Sequence, residues 1–180
     1  MQLSDYEIVA QVKSGKDANK AFRELIAKYQ ERLYWHIRRM VVNHDDTDDV
    51  LQNVFVKVWK GLANFREDSN LYTWLYRIAT NESITFINKK KKENNIPIDD
   101  EPYHLQAGEA DYLMGCDEIQ EKLERALLTL PEKQRAVFHM KYYEDMKYTQ
   151  ISEVVGTSVG ALKASYHIAV KKIENYLIEN

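Results

Sequence analysis

Residues 149–177, TQISEVVGTSVGALKASYHIAVKKIENYL, decide how the fold is read. Thr149 is placed to cap a short helix through Val155, Gly156 supplies the positive φ of a tight turn, and Ser158 caps a final helix to about Leu177. The pattern is helix, short turn, helix. Helical spacing turns Leu162, Tyr166, Ala169, Ile173 and Tyr176 inward and leaves Gly160, Lys163, Ala164, His167 and Lys171 on the other face. A basic face of small residues beside a capped N-terminus suits entry into a DNA major groove.

Working upstream, Ile119, Leu123, Ala126, Leu127 and Leu130 keep a helical rhythm, and Pro131 suits the first turn of the next helix. Before them, residues 94–117 hold two of the chain's three prolines, two of its six glycines and no Lys or Arg, without a sustained apolar period. They read as a linker. On its N-terminal side, Tyr6 to Lys13 predicts a short helix, and Asp17 to about Met40 a longer one burying Ala21, Phe22, Leu25, Ile26, Tyr29, Leu33 and Ile37. Asp45 or Asp46 then serves as an N-cap, with further acids where a helix dipole favours them. Val50, Leu51, Val54, Phe55, Val58, Trp59 and Leu62 form one apolar stripe, which leaves Asp49, Gln52, Asn53, Val56, Lys57 and Lys60 opposite. A last helix from about Ser69 carries Leu71, Trp74, Leu75, Ile78 and Ala79 into the run Lys89 to Lys92.

The whole is all-α: two small helical domains, 1–93 and 118–180, joined by a flexible linker at 94–117. Six Gly and three Pro in 180 residues, 44% of them apolar, fit that description better than strands and hairpins. The net charge of −3 is unevenly spread, because the linker holds six acids and no Lys or Arg, so the remainder is +3. No apolar run approaches the ~20 residues a bilayer crossing needs, and the start MQLSDYE has no secretory apolar core, so a cytoplasmic protein is expected. Cys116 is the single cysteine and can form no internal disulfide. No cofactor is expected.

The stretch 123–177, beginning LERALLTLPEKQRAVFHMKYYEDMKY, resembles region four of bacterial sigma factors. The stretch 48–92, DDVLQNVFVKVWKGLANFREDSNLYTWLYRIATNESITFINKKKK, resembles their region two. With no third domain between them, the resemblance is to the short extracytoplasmic-function group. It implies a non-enzymatic subunit that binds core RNA polymerase, recognises the minus-thirty-five element with region four and melts the minus-ten element with region two, commonly under the control of an anti-sigma partner. By the same resemblance the face Asp49, Gln52, Asn53, Val56, Lys57 and Lys60 meets the polymerase.

Phe65, Tyr72, Trp74 and Tyr76 lie beside Arg66, Arg77 and Asn81, a density of π-faces and donors able to receive an unstacked base, with Trp74 expected in the core. The resemblance assigns Tyr72 and Asn81 to that base. Arg66, Asn70, Thr73 and Arg77 complete the expected minus-ten set, with Lys89 and Lys90 on phosphates. Minus-thirty-five contacts are expected from Ser158, Gly160, Ala161, Lys163, Ala164, His167 and Lys171. Relatives usually read close to SVGTVKSRLHRAR where this chain has SVGALKASYHIAV, so a hydroxyl gives way to Ala161 and two arginines to Ser165 and Ile168. Without those arginines, duplex binding should be weak, with shape readout plausible.

Two other readings use the same residues. A stand-alone helix-turn-helix regulator would bind duplex without polymerase. A metal-dependent DNA-processing enzyme would use His44, Asp45, Asp46, Asp48 and Asp49, although consecutive acids at a helix start fan around the axis and are explained by capping. The linker acids Asp99, Asp100, Glu101, Glu109, Asp111 and Asp117 are expected to imitate nucleic acid and discourage DNA binding by the chain alone.

Overall fold

The computed structural model describes residues 3–95, 113 and 117–180. Among them are eight helices and no strand: α1 (Asp5–Ser14), α2 (Ala18–Val41), α3 (His44–Leu62), α4 (Leu71–Glu93), α5 (Glu118–Leu128), α6 (Glu132–Tyr142), α7 (Tyr148–Val155) and α8 (Val159–Glu179). The expected all-α class is what the chain adopts.

Local chemistry sets most of the ends. Ser4 and Glu7 form a capping box on α1, and Gly15 closes that helix at φ 71°. α3 is capped two residues earlier than Asp45. Val42 leaves α2 at φ 72°, Asn43 is extended, and its Oδ1 accepts from the Asp46 amide at 3.0 Å. Asp45 and Asp46 thus occupy the first turn and compensate the helix dipole instead of capping. Asn70 caps α4 by accepting from the Thr73 amide at 2.8 Å. Pro131 immediately precedes α6 rather than opening its first turn. At α7 the cap is Lys147, not Thr149, because Gln150 reaches back to accept from the Lys147 amide at 3.0 Å. Gly156 and Ser158 do what their types predicted: φ is 68° at Gly156, and Ser158 Oγ accepts from the Ala161 amide at 3.3 Å.

α1 to α4 form one body around Ile8, Leu25, Leu33, Ile37, Val54, Val58, Leu62 and Leu75, all buried. α5, α6 and α8 enclose a second, smaller core of Ala126, Leu127, Leu130, Phe138, Ala169 and Ile173. The larger core also takes in Val137, Met140, Met146, Ile151 and Val154, so α6 and α7 pack back onto α2 and α4. α6 is consequently buried all round from Arg135 to Met140. Arg135 is fully buried and donates to the Met40 carbonyl, at the C-terminal end of α2, at 2.8 Å.

Candidate nucleic-acid interface

The loop between α3 and α4 and the first turns of α4 enclose a cleft of about 640 Å³, lined by Asn64, Phe65, Arg66, Asp68, Ser69, Trp74 and Arg77, with Gly61 at its back and Glu153 of α7 at its rim. Phe65 and Trp74 build the aromatic wall, their ring centroids 5.0 Å apart. Gly61 lets the indole in: a Cβ there would lie 3.1 Å from the Trp74 ring. Trp74 is half-buried, so it serves the core and the cleft together. Arg66 and Arg77 are exposed at the mouth, and Asn81 follows Arg77 one turn along the same face of α4. Cationic donors around an open aromatic wall can hold a base by stacking and its phosphates by charge.

The other expected minus-ten residues are placed differently. Thr73 is buried, and the Asn70 side chain is engaged in capping, so both shape the start of α4. Tyr76 is fully buried against His36, with centroids 4.8 Å apart. Tyr72 is half-buried, its ring 4.5 Å from that of Tyr76 and under the Arg32 guanidinium at 4.8 Å. Its hydroxyl donates to Glu144 Oε2 at 3.0 Å, and Arg32 donates to the same oxygen at 2.8 Å. Burial, and then the Glu144 charge, push the Tyr72 phenol up to about 12. At the end of α4, Lys89 lies 3.9 Å from Glu93 and Lys90 3.5 Å from Asp46, while Lys91 is buried and paired with Glu132 of α6 at 2.8 Å.

On α3, Asp49, Gln52, Asn53, Val56, Lys57 and Lys60 are all exposed along one face. Lys57 also pairs with Glu82. Trp59, expected inside, is 40% exposed and leans on Phe22 at 4.9 Å, so an aromatic edge borders this polar face. The periodicity of α3 had assigned it to the buried stripe. On α8, Gly160, Ala161, Lys163, Ala164, His167 and Lys171 are exposed beyond the Ser158 cap, and the space around Gly160 is open. Lys163 Nζ lies 5.9 Å from the Tyr148 ring, which steadies its base without covering it. Tyr166 and Tyr176 are half-buried, unlike Leu162, Ala169 and Ile173.

Among the described residues no group of three or more His, Cys, Asp or Glu side chains could hold a metal ion, and no helix is long and apolar enough to cross a membrane. His44 instead shares a 2.7 Å hydrogen bond with Tyr34. Of the linker acids, Asp117 caps α5 by accepting from the Gln120 amide at 2.8 Å, and the other five lie outside the described residues.

Comparison with known proteins matches the two bodies in turn: the family of sigma-70 region 2 fits residues 25–93, and that of sigma-70 region 4 fits residues 120–173. RNA polymerase sigma-H factor of Pseudomonas aeruginosa is 29% identical over 98% of this chain and 95% of its own. The ECF RNA polymerase sigma-E factor of Escherichia coli K12 is 29% identical over 97% of this chain and 94% of its own. Among solved structures, CnrH in complex with the cytosolic domain of CnrY superposes with a TM-score of 0.73 at 23% identity, covering 98% of both chains. The sigma factor RpoE of Bartonella quintana, in complex with the anti-sigma factor NepR, superposes with a TM-score of 0.70 at 22% identity over 88% of this chain and 97% of that one. Region 2 followed by region 4 defines the class as sigma-70 factors. Within it, the chain belongs to the extracytoplasmic-function group.

Proposed function

We infer that the chain is a promoter-specificity subunit: it binds core RNA polymerase, brings it to promoter DNA and opens the duplex, acting by binding and not by catalysis. The observation that carries this is the pairing of an aromatic, arginine-rimmed cleft on the first body with an exposed, capped helix start on the second. The first suits an unstacked base and the second suits duplex phosphates and groove. Its place of work is the cytoplasm, with the polymerase.

In this reading residues 1–93 are the region 2 domain, 94–117 a linker and 118–180 the region 4 domain. Arg66, Arg77 and Asn81 contact the minus-ten strand at the cleft, Tyr72 offers it a ring, Asn70 and Thr73 set the loop, and Lys89 and Lys90 follow phosphates. Ser158, Gly160, Ala161, Lys163, Ala164, His167 and Lys171 face the minus-thirty-five element. Asp49, Gln52, Asn53, Val56, Lys57 and Lys60 form the polymerase face, and the exposed Trp59 edge extends it. An anti-sigma partner is proposed because both structural neighbours are described in complex with a protein partner, one of them named an anti-sigma factor.

Run-off transcription with purified core polymerase and this chain on a genomic fragment library tests the role. Specific transcripts that require both components are expected. No transcript and no core binding would overturn it, and specific duplex binding by the chain alone would favour the stand-alone regulator.

A further inference from the structure

The solvent side of α8 carries two parallel rows of side chains. Helical spacing puts Gly160, Lys163, His167 and Lys171 in one and Ala161, Ala164 and Ile168 in the other, all of them exposed, Ile168 at 47%. The first row is polar and basic. Lys163 Nζ lies 5.9 Å from the ring of Tyr148 at the start of α7, on the flank of the helix, and Lys171 and Lys172 follow Ile168 one turn later. The second row offers nothing but methyl and methylene groups. From Val159 to Lys172 the helix holds no Arg, Asn, Gln, Asp or Glu, the side chains that read guanine, adenine and cytosine edges by hydrogen bonds. The Ser158 hydroxyl is engaged as the cap, accepting from the Ala161 amide, and Ser165 is half-buried.

In the major groove thymine alone presents an apolar group, its C5 methyl, and alanine-sized and aliphatic side chains are its partners there. One exposed isoleucine is ordinary on any surface. Here it ends a methyl row that starts beside the helix cap, with lysines placed to hold phosphates along the groove. From Ala161 to Ile168 the helix rises about 10.5 Å, which matches roughly three base-pair steps of ~3.4 Å.

We propose that Ala161, Ala164 and Ile168 read the minus-thirty-five element through thymine C5 methyl groups, so that this chain selects duplexes with thymines at neighbouring positions facing α8. This rests on the role proposed above for α8 and names the sequence class that its face selects. Ile168, standing where relatives carry an arginine, is thereby a specificity residue and not merely a lost contact. Lys163, His167 and Lys171 supply affinity from the phosphates, and the methyl row supplies the choice of sequence.

The test uses the promoter that gives most transcript in the run-off screen, rebuilt as a fluorescein-labelled duplex with deoxyuridine in place of thymine. That exchange removes the C5 methyl and keeps the pairing and both hydrogen-bonding edges. Holoenzyme affinity is read by anisotropy. Exchange in the minus-thirty-five region should weaken binding about fourfold per contacted methyl, the factor equivalent to ~0.8 kcal/mol for one buried carbon. The same exchange in the spacer between the elements should change it by less than about twofold. I168A should weaken binding to the thymine duplex and abolish the uridine effect at one position. I168R, which places a bidentate donor there, should move the preference at that pair from thymine to guanine. Both changes fall on an exposed side chain, and circular dichroism checks that the fold is kept.

Equal affinity for thymine and uridine duplexes, or a minus-thirty-five element without thymine, would overturn the proposal and leave the sigma role standing. Uridine effects of the same size at every position in wild type and I168A would overturn Ile168 as a reader. A chain that starts no transcript on thymine templates would overturn the sigma role, and the methyl readout with it.

Discussion

Acidification should loosen this protein through His36, and the size of the effect follows from where that ring sits. His36 is fully buried between α2 and α4, with Nε2 bonded to Thr80 Oγ1 at 2.8 Å and Nδ1 without a hydrogen-bond partner among the described residues. Tyr76 lies against its ring, while the charges that reach it are Glu144, which favours protonation, and Arg39, which opposes it. Burial dominates and holds the imidazole down at about 4, against an ordinary value of 6.5. The folded chain therefore binds fewer protons than the unfolded chain between those values. Stability is full above the ordinary value and falls as pH drops toward the depressed one. Linkage gives a loss of about 2 kcal/mol from His36 alone between roughly pH 7.5 and pH 5.

His139 pulls in the same direction. It is buried, neither ring nitrogen has a hydrogen-bond partner among the described residues, and burial followed by the charges of Arg39 and Arg135 depresses it well below the usual histidine range. Urea unfolding followed by circular dichroism at the two pH values, on wild type and on H36Q/H139Q, isolates the pair from the titrating carboxylates. With a slope of about 2 kcal/mol/M, the wild-type midpoint should fall by at least about 1 M more than that of the variant. Parallel losses in the two proteins would refute the reasoning.

Three further outcomes follow from the geometry. Lys163→Ala should weaken promoter binding by the holoenzyme and reduce its log-log salt slope by about 1, and an unchanged slope would remove the phosphate role of this lysine. Ser158→Ala removes the acceptor for the Ala161 amide and should cost about 1 kcal/mol in urea unfolding. Gly61→Ala should push the Trp74 ring into the cleft, because the added Cβ would meet it at 3.1 Å. A shifted tryptophan emission and a several-fold weaker single-strand affinity in the holoenzyme are expected, and unchanged emission with unchanged affinity would show that the ring does not form the wall.

Much of this was legible in the sequence where one apolar face meets one core. The exposed rows of α3 and α8 fall where the period places them, and Gly156 and Ser158 perform the tasks their chemistry allows. Cap positions slipped where a neighbour competed: Asn43 displaced Asp45 and Asp46, and Gln150 reached past Thr149. Contacts between the two bodies were hidden, because Arg135, Lys91, His36 and His139 are polar types that ordinarily stay in water and are buried here by distant segments. One signal was present in QRAVFHM, residues 134–140. Its apolar residues do not keep to one face, as in a helix packed on both sides.

The division of the interior into two cores also sets what each half can withstand by itself. The second body keeps Leu127, Leu130, Phe138, Ala169 and Ile173 whatever its neighbour does, but Val137, Met140, Ile151 and Val154 belong to the interior it shares with α2 and α4. Cut loose, that half would wear a greasy seam across α6 and α7. A truncated fragment should therefore clump unless something else clothes the seam, and any protein that parts the halves in the cell must also act as their raincoat.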